Sequence, residues 1–305
     1  RDGDPSSVKY ASENPGVFVA EDATVRLGVG KNMVRAIRYW GQAAHLLTHA
    51  PGTDARSGQM VPTRTGLALF GDEGADPYLE DPGTLWLVHW HLLRPTCEVP
   101  AWWLLFHRMT AVEFTEAEAC EFITEEVRRS AWDLPHPTSI DKDVSCLART
   151  YAAVSRGRAS IDDIFDCPLR HLGLLEETGR GRFRFNTGRK ATLPPEVVLY
   201  ACLDWMSMQD GAARSASFGR LVHEPGSPGR AFRLAESAMR DAVESGVLLT
   251  GVGSLTSSAG ATQLVVASNI DDAKFSVLDS YYTRQRRRLL FAPSDEPAGR
   301  VGVTS

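Results

Sequence analysis

A helix that is apolar on every side exists in a water-soluble protein only where other elements can cover it, and residues 82–93 spell such a helix. Asp81-Pro82-Gly83-Thr84 is a strong start, with aspartate as N-cap and proline at the first helical position. Behind it Leu85-Trp86-Leu87-Val88-His89-Trp90-His91-Leu92-Leu93 offers no polar face. The run is too short to span a bilayer, so it belongs inside a protein core. A chain of 305 residues is long enough to build that core, and its length suggests about two domains.

The remaining elements are read from periodicity and caps. A second apolar helix is expected at 101–109. Thr115 with Glu118 forms a capping box for a helix reaching about Trp132. Further helices are expected at 139–154, 163–177, 195–208, 231–244 and 271–290. Short strands are expected within 60–70, turning at Thr63-Arg64-Thr65-Gly66, and at 247–249 with 263–267. Arg182–Phe185 should pair across an Asn186-Thr187-Gly188 turn with Arg189-Lys190. The fold class is therefore mainly α, with winged-helix or helix-turn-helix-like elements and short β-hairpin wings. Leu134-Pro135-His136-Pro137 is the natural linker. It is expected to divide an N-terminal helix-turn-helix-like domain (1–135) from a C-terminal helical domain with β wings (136–305).

The most sharply two-faced segment is Leu27–Trp40, LGVGKNMVRAIRYW. Met33, Ile37, Trp40, Ala44 and Leu47 recur at helical spacing and form an apolar stripe. Lys31, Arg35, Arg38, Gln42 and His45 share the opposite face. A helix of this kind, entered through Gly28 and Gly30, can bury one side and present cations and backbone N–H groups to phosphate. The same glycines do not make a nucleotide site. A phosphate-binding loop needs glycine at the position of Val25 and Ser or Thr at that of Asn32, and a dinucleotide fingerprint needs glycine at Met33. No nucleotide cofactor is expected.

For a divalent ion such as Mg2+ the best candidates are Asp76 and Glu80, hard oxygen donors just ahead of the buried helix. Asp81 belongs to the N-cap. His89 and His91 lie about 200° apart on a helix, so they cannot grip one ion together and are read as core histidines. Asp272-Ala273-Lys274 has the spacing of a restriction-nuclease tail but opens a helix instead of ending a strand. Arg182, Arg184, Arg189, Lys190 and the Arg284–Arg288 cluster are cationic groups that can meet phosphate. Trp86, Trp90, Trp102 and Trp103 sit in apolar runs and are read as core.

The formal net charge of -5 excludes a generally basic coat, so contact with nucleic acid must come from local patches. Five scattered cysteines without a CxxC pair argue against a disulfide framework or zinc ribbon. With no signal peptide and no long apolar run, a cytoplasmic protein without membrane contact is expected. The chain opens on Arg1 instead of methionine, so a preceding segment is expected.

Leu27–Trp40, the DPYLEDPGTLWLVHWH segment (Asp76 to His91), Cys167-Pro168-Leu169 and Leu172-Gly173-Leu174 together resemble a family of uncharacterised-domain proteins encoded beside bacterial DNA phosphorothioation genes. The resemblance runs from about Val17 to Tyr282. It implies a role in placing sulfur in the DNA backbone and in antiphage defence, with magnesium-dependent DNA nicking to open the strand. It implies as partners DNA, a cysteine desulfurase, an ATPase and an ATP-dependent sulfur-transfer protein, and a second copy of the chain is a further possible partner. In that setting Lys31, Asn32, Arg35 and Arg38 would face DNA. Non-catalytic alternatives are a winged-helix adaptor that recruits sulfur-transfer enzymes, or a transcriptional regulator.

Overall fold

In the computed structural model, which describes residues 14–54, 56–130, 132–153, 167–209, 214–258 and 260–285, the chain opens with α1 (Ala23–Arg26), α2 (Lys31–Ala43), β1 (Leu47–His49), β2 (Met60–Pro62) and α3 (Arg64–Phe70). Next come α4 (Pro82–Leu93), α5 (Pro100–His107), β3 (Glu113–Thr115), α6 (Glu116–Arg129), α7 (Pro137–Tyr151) and β4 (Ala152–Ala153). A 3-10 turn at Pro168–Leu172 leads to β5 (Leu175–Gly179), β6 (Arg182–Phe185), α8 (Pro195–Ser207), β7 (Ser215–Ser217), α9 (Phe218–His223) and α10 (Pro228–Ala231). The last elements are α11 (Glu236–Thr250), β8 (Ser254–Ser258), β9 (Ala261–Val265) and α12 (Ile270–Arg284). The protein is mainly α. Its described strands form small sheets, β1–β2, β3-β6-β5-β4 and β7-β9-β8, antiparallel except where β4 meets β5.

The all-apolar helix α4 is buried as its composition requires: Trp86, Leu87, Trp90 and Leu93 have no exposed surface. Burying a leucine completely stabilises by about 1.5–3 kcal/mol, so stability is concentrated along this axis. The Asp81 carboxylate accepts the Gly83 N–H at 2.7 Å and the Tyr281 hydroxyl at 2.6 Å, which pins the start of α4 to α12. A second buried helix, α8, packs against α4, α11 and α12. The resulting core runs from Ala43 to Tyr282, and α6 and α7 pack on each other across the Pro135 segment. A smaller apolar cluster of Val17, Phe18, Ala23, Val34, Leu47 and Met60 holds α1, α2 and the β1–β2 pair together.

Several expectations are corrected. Residues 64–70 form a helix, because the Thr63 hydroxyl caps the Gly66 N–H at 3.0 Å; β2 pairs instead with β1, so the expected strand pair within 60–70 is not formed. Residues 163–177 are not one helix where described: the 3-10 turn ends at Gly173 (φ 61) and β5 begins. The Arg182–Phe185 strand turns before itself, not after. Arg180 and Gly181 both have positive φ (55 and 70), the geometry that suits a tight hairpin, whereas Asn186 folds back to donate to the Gly173 carbonyl. Residues 231–244 are split between α10 and α11, with Arg233 at φ 52 between them. Residues 247–249 continue α11, with Leu248 left 85% exposed, and the strand pair is Ser254–Ser258 with Ala261–Val265. Helices α4, α5, α6, α7 and α8 follow the expected positions, including the Thr115–Glu118 capping box.

Candidate functional site

Helix α2 is two-faced as its spacing demands. Val34 and Ala43 are buried, and the half-buried Trp40 stacks on Trp102 with ring centroids 5.1 Å apart. Met33 is 54% exposed, because Val34 takes the buried position expected for it. Lys31, Asn32 and Arg35 are exposed, while Arg38 lies half-buried beside Gly58.

The helix ends at Ala43, not Leu47, and its ending builds the site. The His45 N–H donates to the Gln42 carbonyl at 2.8 Å and the Leu46 N–H to the Gly41 carbonyl at 2.9 Å. These paired bonds are a Schellman ending, whose left-handed residue is normally glycine. Here it is His45, at φ 54. A non-glycine residue held there costs on the order of 1 kcal/mol, and such residues cluster at functional sites. The Thr63 hydroxyl grips the His45 carbonyl at 2.8 Å.

The His45 ring lines a cavity of about 400 Å3 between this N-terminal lobe and the helical body. Gln42 and His49 contribute from the lobe and Arg64 from α3. His91 and Arg94 come from the end of α4, Tyr200 and Asp204 from α8, and Lys274 from α12. Asp204 is 1% exposed and fully engaged. Its carboxylate accepts from Arg94 Nη1 (2.8 and 3.1 Å), Trp90 Nε1 (2.9 Å) and Lys274 Nζ (3.2 Å). Burial pushes the Asp204 pKa up, but the Arg94 and Lys274 cations outweigh it and hold the group below the usual carboxylate range. Two cations therefore converge on one buried carboxylate, although Lys274 also reaches the exposed Asp271 at 2.8 Å.

His45 and His91 are neutral at pH 7. Burial, aided by Arg94, lowers His45 to about 4 and puts His91 well below its ordinary value. The Tyr200 hydroxyl lies 3.2 Å from His91 Nε2. With the hydroxyl donating, Nε2 is the acceptor and Nδ1 carries the proton.

The polar stripe of α2 ends at this cavity. Lys31, Arg35, Arg38 and Gln42 follow one another at helical spacing, and Gln42 lines the cavity with His45, which lies just beyond the helix. From Lys31 to Gln42 the stripe is about 16 Å long, the axial length of four to five nucleotides of one strand.

The other expected site residues lie elsewhere. Arg182 stands 3.6 Å from both Glu113 and Glu118, and Arg184 pairs with Glu176 and Glu113. Arg189 is exposed. Lys190 is half-buried and donates to the Asn186 and Gly188 carbonyls, its pKa lowered to about 8 by burial and by Arg233. These four do not form one cationic face. Arg284 pairs with the buried Glu196; Arg286, Arg287 and Arg288 lie outside the described residues. His89 is a core histidine as expected, bonded to Tyr151 and to the Ala231 carbonyl, and Trp86, Trp90 and Trp102 are buried.

Asp76 is buried, and its two oxygens accept the Glu80 and Asp81 N–H groups at 2.9 Å each, while the Glu80 side chain is exposed. Asp76 shapes the turn into α4. Among the described residues no group of three or more His, Cys, Asp or Glu side chains is close enough to hold a metal ion. Asp76 is thus engaged by two amides and Asp204 by two cations. Sequence reading missed His45, Arg94, Tyr200, Asp204 and Lys274 as a set. Its available signal was Asp204, a lone carboxylate in the apolar run Leu199-Tyr200-Ala201-Cys202-Leu203-Asp204-Trp205-Met206, which demands a buried counter-ion.

Fold and site define a mainly helical protein in which a basic, two-faced helix leads into a cation-lined cavity. The chain belongs to the family described as "Protein of unknown function (DUF4007)", whose model matches residues 6–282. It is similar to two solved structures, "SspB crystal structure" and "Magnesium ion-bound SspB crystal structure". Each is 37% identical, covers 94% of this chain and 86% of the other, and superposes with a TM-score of 0.84. The family resemblance carried by Leu27–Trp40 and the segment from Asp76 to His91 is thereby borne out. A search of curated protein sequences gives no match. No described helix is long and apolar enough to cross a membrane.

Proposed function

We propose that the protein is a DNA-binding component of bacterial DNA phosphorothioation and antiphage defence that nicks the strand in a magnesium-dependent reaction. The observation that supports this reading is that one helix, α2, carries Lys31, Asn32 and Arg35 exposed at its start and Gln42 at its end in the lining of the Arg94–Asp204–Lys274 cavity. Lys31, Arg35 and Arg38 neutralise successive phosphates and fix the strand along α2, a contact that positions DNA without reading its sequence. Asn32, exposed at the start of the helix, reaches a phosphate or a base edge. Arg94 and Lys274 supply positive charge inside a low-dielectric cavity, where it counts for more than in water. The partners proposed are those implied by the resemblance: DNA, the cysteine desulfurase, and the ATPase and sulfur-transfer proteins.

The test is conversion of supercoiled plasmid to open circles, with and without magnesium, by the wild-type chain and by Lys274→Met. Nicking that needs the metal and falls at least tenfold in the variant supports the reading. A folded wild-type protein that binds DNA but leaves the plasmid intact overturns the enzymatic part and leaves an adaptor.

A further inference from the structure

Among the residues that line the cavity, His91 and Arg94 each carry a buried nitrogen without a partner in the protein. His91 is 2% exposed, and its Nδ1 has no partner although Nε2 faces Tyr200. With the Tyr200 hydroxyl donating to Nε2, Nδ1 bears a hydrogen and seeks an acceptor. Arg94 Nε is likewise buried without a partner, its Nη1 being spent on Asp204. A buried donor left unpaired is costly, so a site of this kind is completed by an acceptor from outside. A metal ion is the wrong complement, since a protonated Nδ1 and a guanidinium have no lone pair to give. A cluster of acceptor oxygens is the right one.

We propose that this cavity binds a terminal phosphoryl group, the phosphate monoester at the end of a nucleic-acid strand. This deepens the DNA-binding reading by naming the chemical group received at the end of the α2 stripe. A monoester presents three terminal oxygens, enough to take the His91 Nδ1–H and the Arg94 Nε–H together, while the Lys274 ammonium, bonded to Asp204, Ser207 and Asp271, contributes charge. A phosphate within a continuous strand offers only two such oxygens, so the end left by nicking fits the cavity better than the linkage it replaces. Arg64, Arg94 and Lys274 supply the positive charge, set against Asp204, the exposed Glu98 and the Asp271 partner of Lys274, while the neutral His45 and His91 add dipoles without further charge. The volume of about 400 Å3 falls within the range of small-ligand sites. His45 Nε2, also unpartnered, adds one acceptor for a water or hydroxyl beside the phosphate.

The experiment measures the affinity of the full chain for a dye-labelled single strand bearing a 5′-phosphate, a 3′-phosphate or only hydroxyl ends, at fixed salt. One phosphorylated end is expected to bind about tenfold tighter than the hydroxyl-ended strand, and inorganic phosphate to erase that advantage by competition. Lys274→Met should reduce the ratio to about one, a larger loss for the phosphorylated strand than for the hydroxyl-ended one. Thermal unfolding with and without inorganic phosphate is the second measurement: phosphate should raise the Tm of the wild type and not that of Lys274→Met. If inorganic phosphate stabilises the wild type but no end is preferred, the phosphoryl group comes from a small molecule and the strand-end assignment falls. If neither phosphate nor any end has an effect, the cavity holds only water and the proposal is overturned. Binding of an end requires no cleavage, so a protein that fails to nick can still pass.

Discussion

Lowering the pH from 7 to 5 should destabilise this protein by about 4 kcal/mol through two core histidines alone. His89 is fully buried, with Nδ1 at 2.7 Å from the Tyr151 hydroxyl and Nε2 at 2.9 Å from the Ala231 carbonyl. A carbonyl only accepts, so Nε2 carries the hydrogen and Nδ1 takes the tyrosine proton, leaving no place for a second proton. His107 is 1% exposed and its Nε2 faces the Leu93 carbonyl at 3.2 Å. Burial lowers His89 to about 4 and His107 to about 3, against the pull of those backbone carbonyls. Both groups titrate near 6.5 once unfolded. Below pH 6.5 the unfolded chain therefore binds protons that the folded chain refuses, so stability falls as pH falls, until the folded values are reached near 4 and 3. At pH 5 each contributes a loss of about 2 kcal/mol, from 1.36 kcal/mol per pKa unit. Set against a typical stability of about 5–15 kcal/mol, the sum is large. Urea unfolding at pH 7, 6 and 5 reads it directly, and this window lies above the titration of exposed carboxylates. In His107→Leu the loss between pH 7 and 5 should shrink by about 2 kcal/mol. A stability that stays flat from pH 7 to 5, or an equal acid loss in that variant, refutes the reasoning.

Two further outcomes test the α2 stripe. Arg35→Glu with Arg38→Glu should weaken duplex binding and reduce the log–log salt slope by about 0.9 per lost phosphate contact, or nearly 2 for the pair; an unchanged slope would make this face ordinary surface. His45→Gly places at the Schellman position the residue that geometry prefers, so denaturant unfolding should show stability unchanged or raised by up to about 1 kcal/mol, while plasmid nicking falls. A variant destabilised by several kcal/mol would show that His45 is held by packing and not against strain.

How much of this was legible in the sequence depended on the range of the forces involved. The Asp81-Pro82 start, the Thr115–Glu118 box and the two buried helices are set within one or two turns of chain, and they stand where expected. The α2 ending was illegible because no glycine marks it; a histidine occupies the left-handed position that usually announces a stop. The hairpin turn was misplaced because two turn-forming segments flank Arg182–Phe185. Phe183 and Phe185 point inward against Phe114, and the register that buries them pairs β6 with β5 through Arg180-Gly181.

The cavity lay beyond sequence reading for a different reason. Asp204 needs positive charge to be buried as an anion, and it finds Arg94 110 residues before it and Lys274 70 residues after it. Neither cation has a local pattern that marks it. Lys274 lies in an Asp-Ala-Lys triplet that stands on a helix; what brings it to the cavity is the packing of α12 on α8, a helix whose Val277, Leu278 and Tyr281 are buried. The same packing ties Tyr281 to Asp81 and so sets the start of α4, whose far end delivers His91 and Arg94. The charge cluster is thus a product of how the apolar helices stack. A substitution that shifts α12 along α8 would separate Lys274 from Asp204 without touching a cavity residue, which makes core packing, more than any local motif, the determinant of this site.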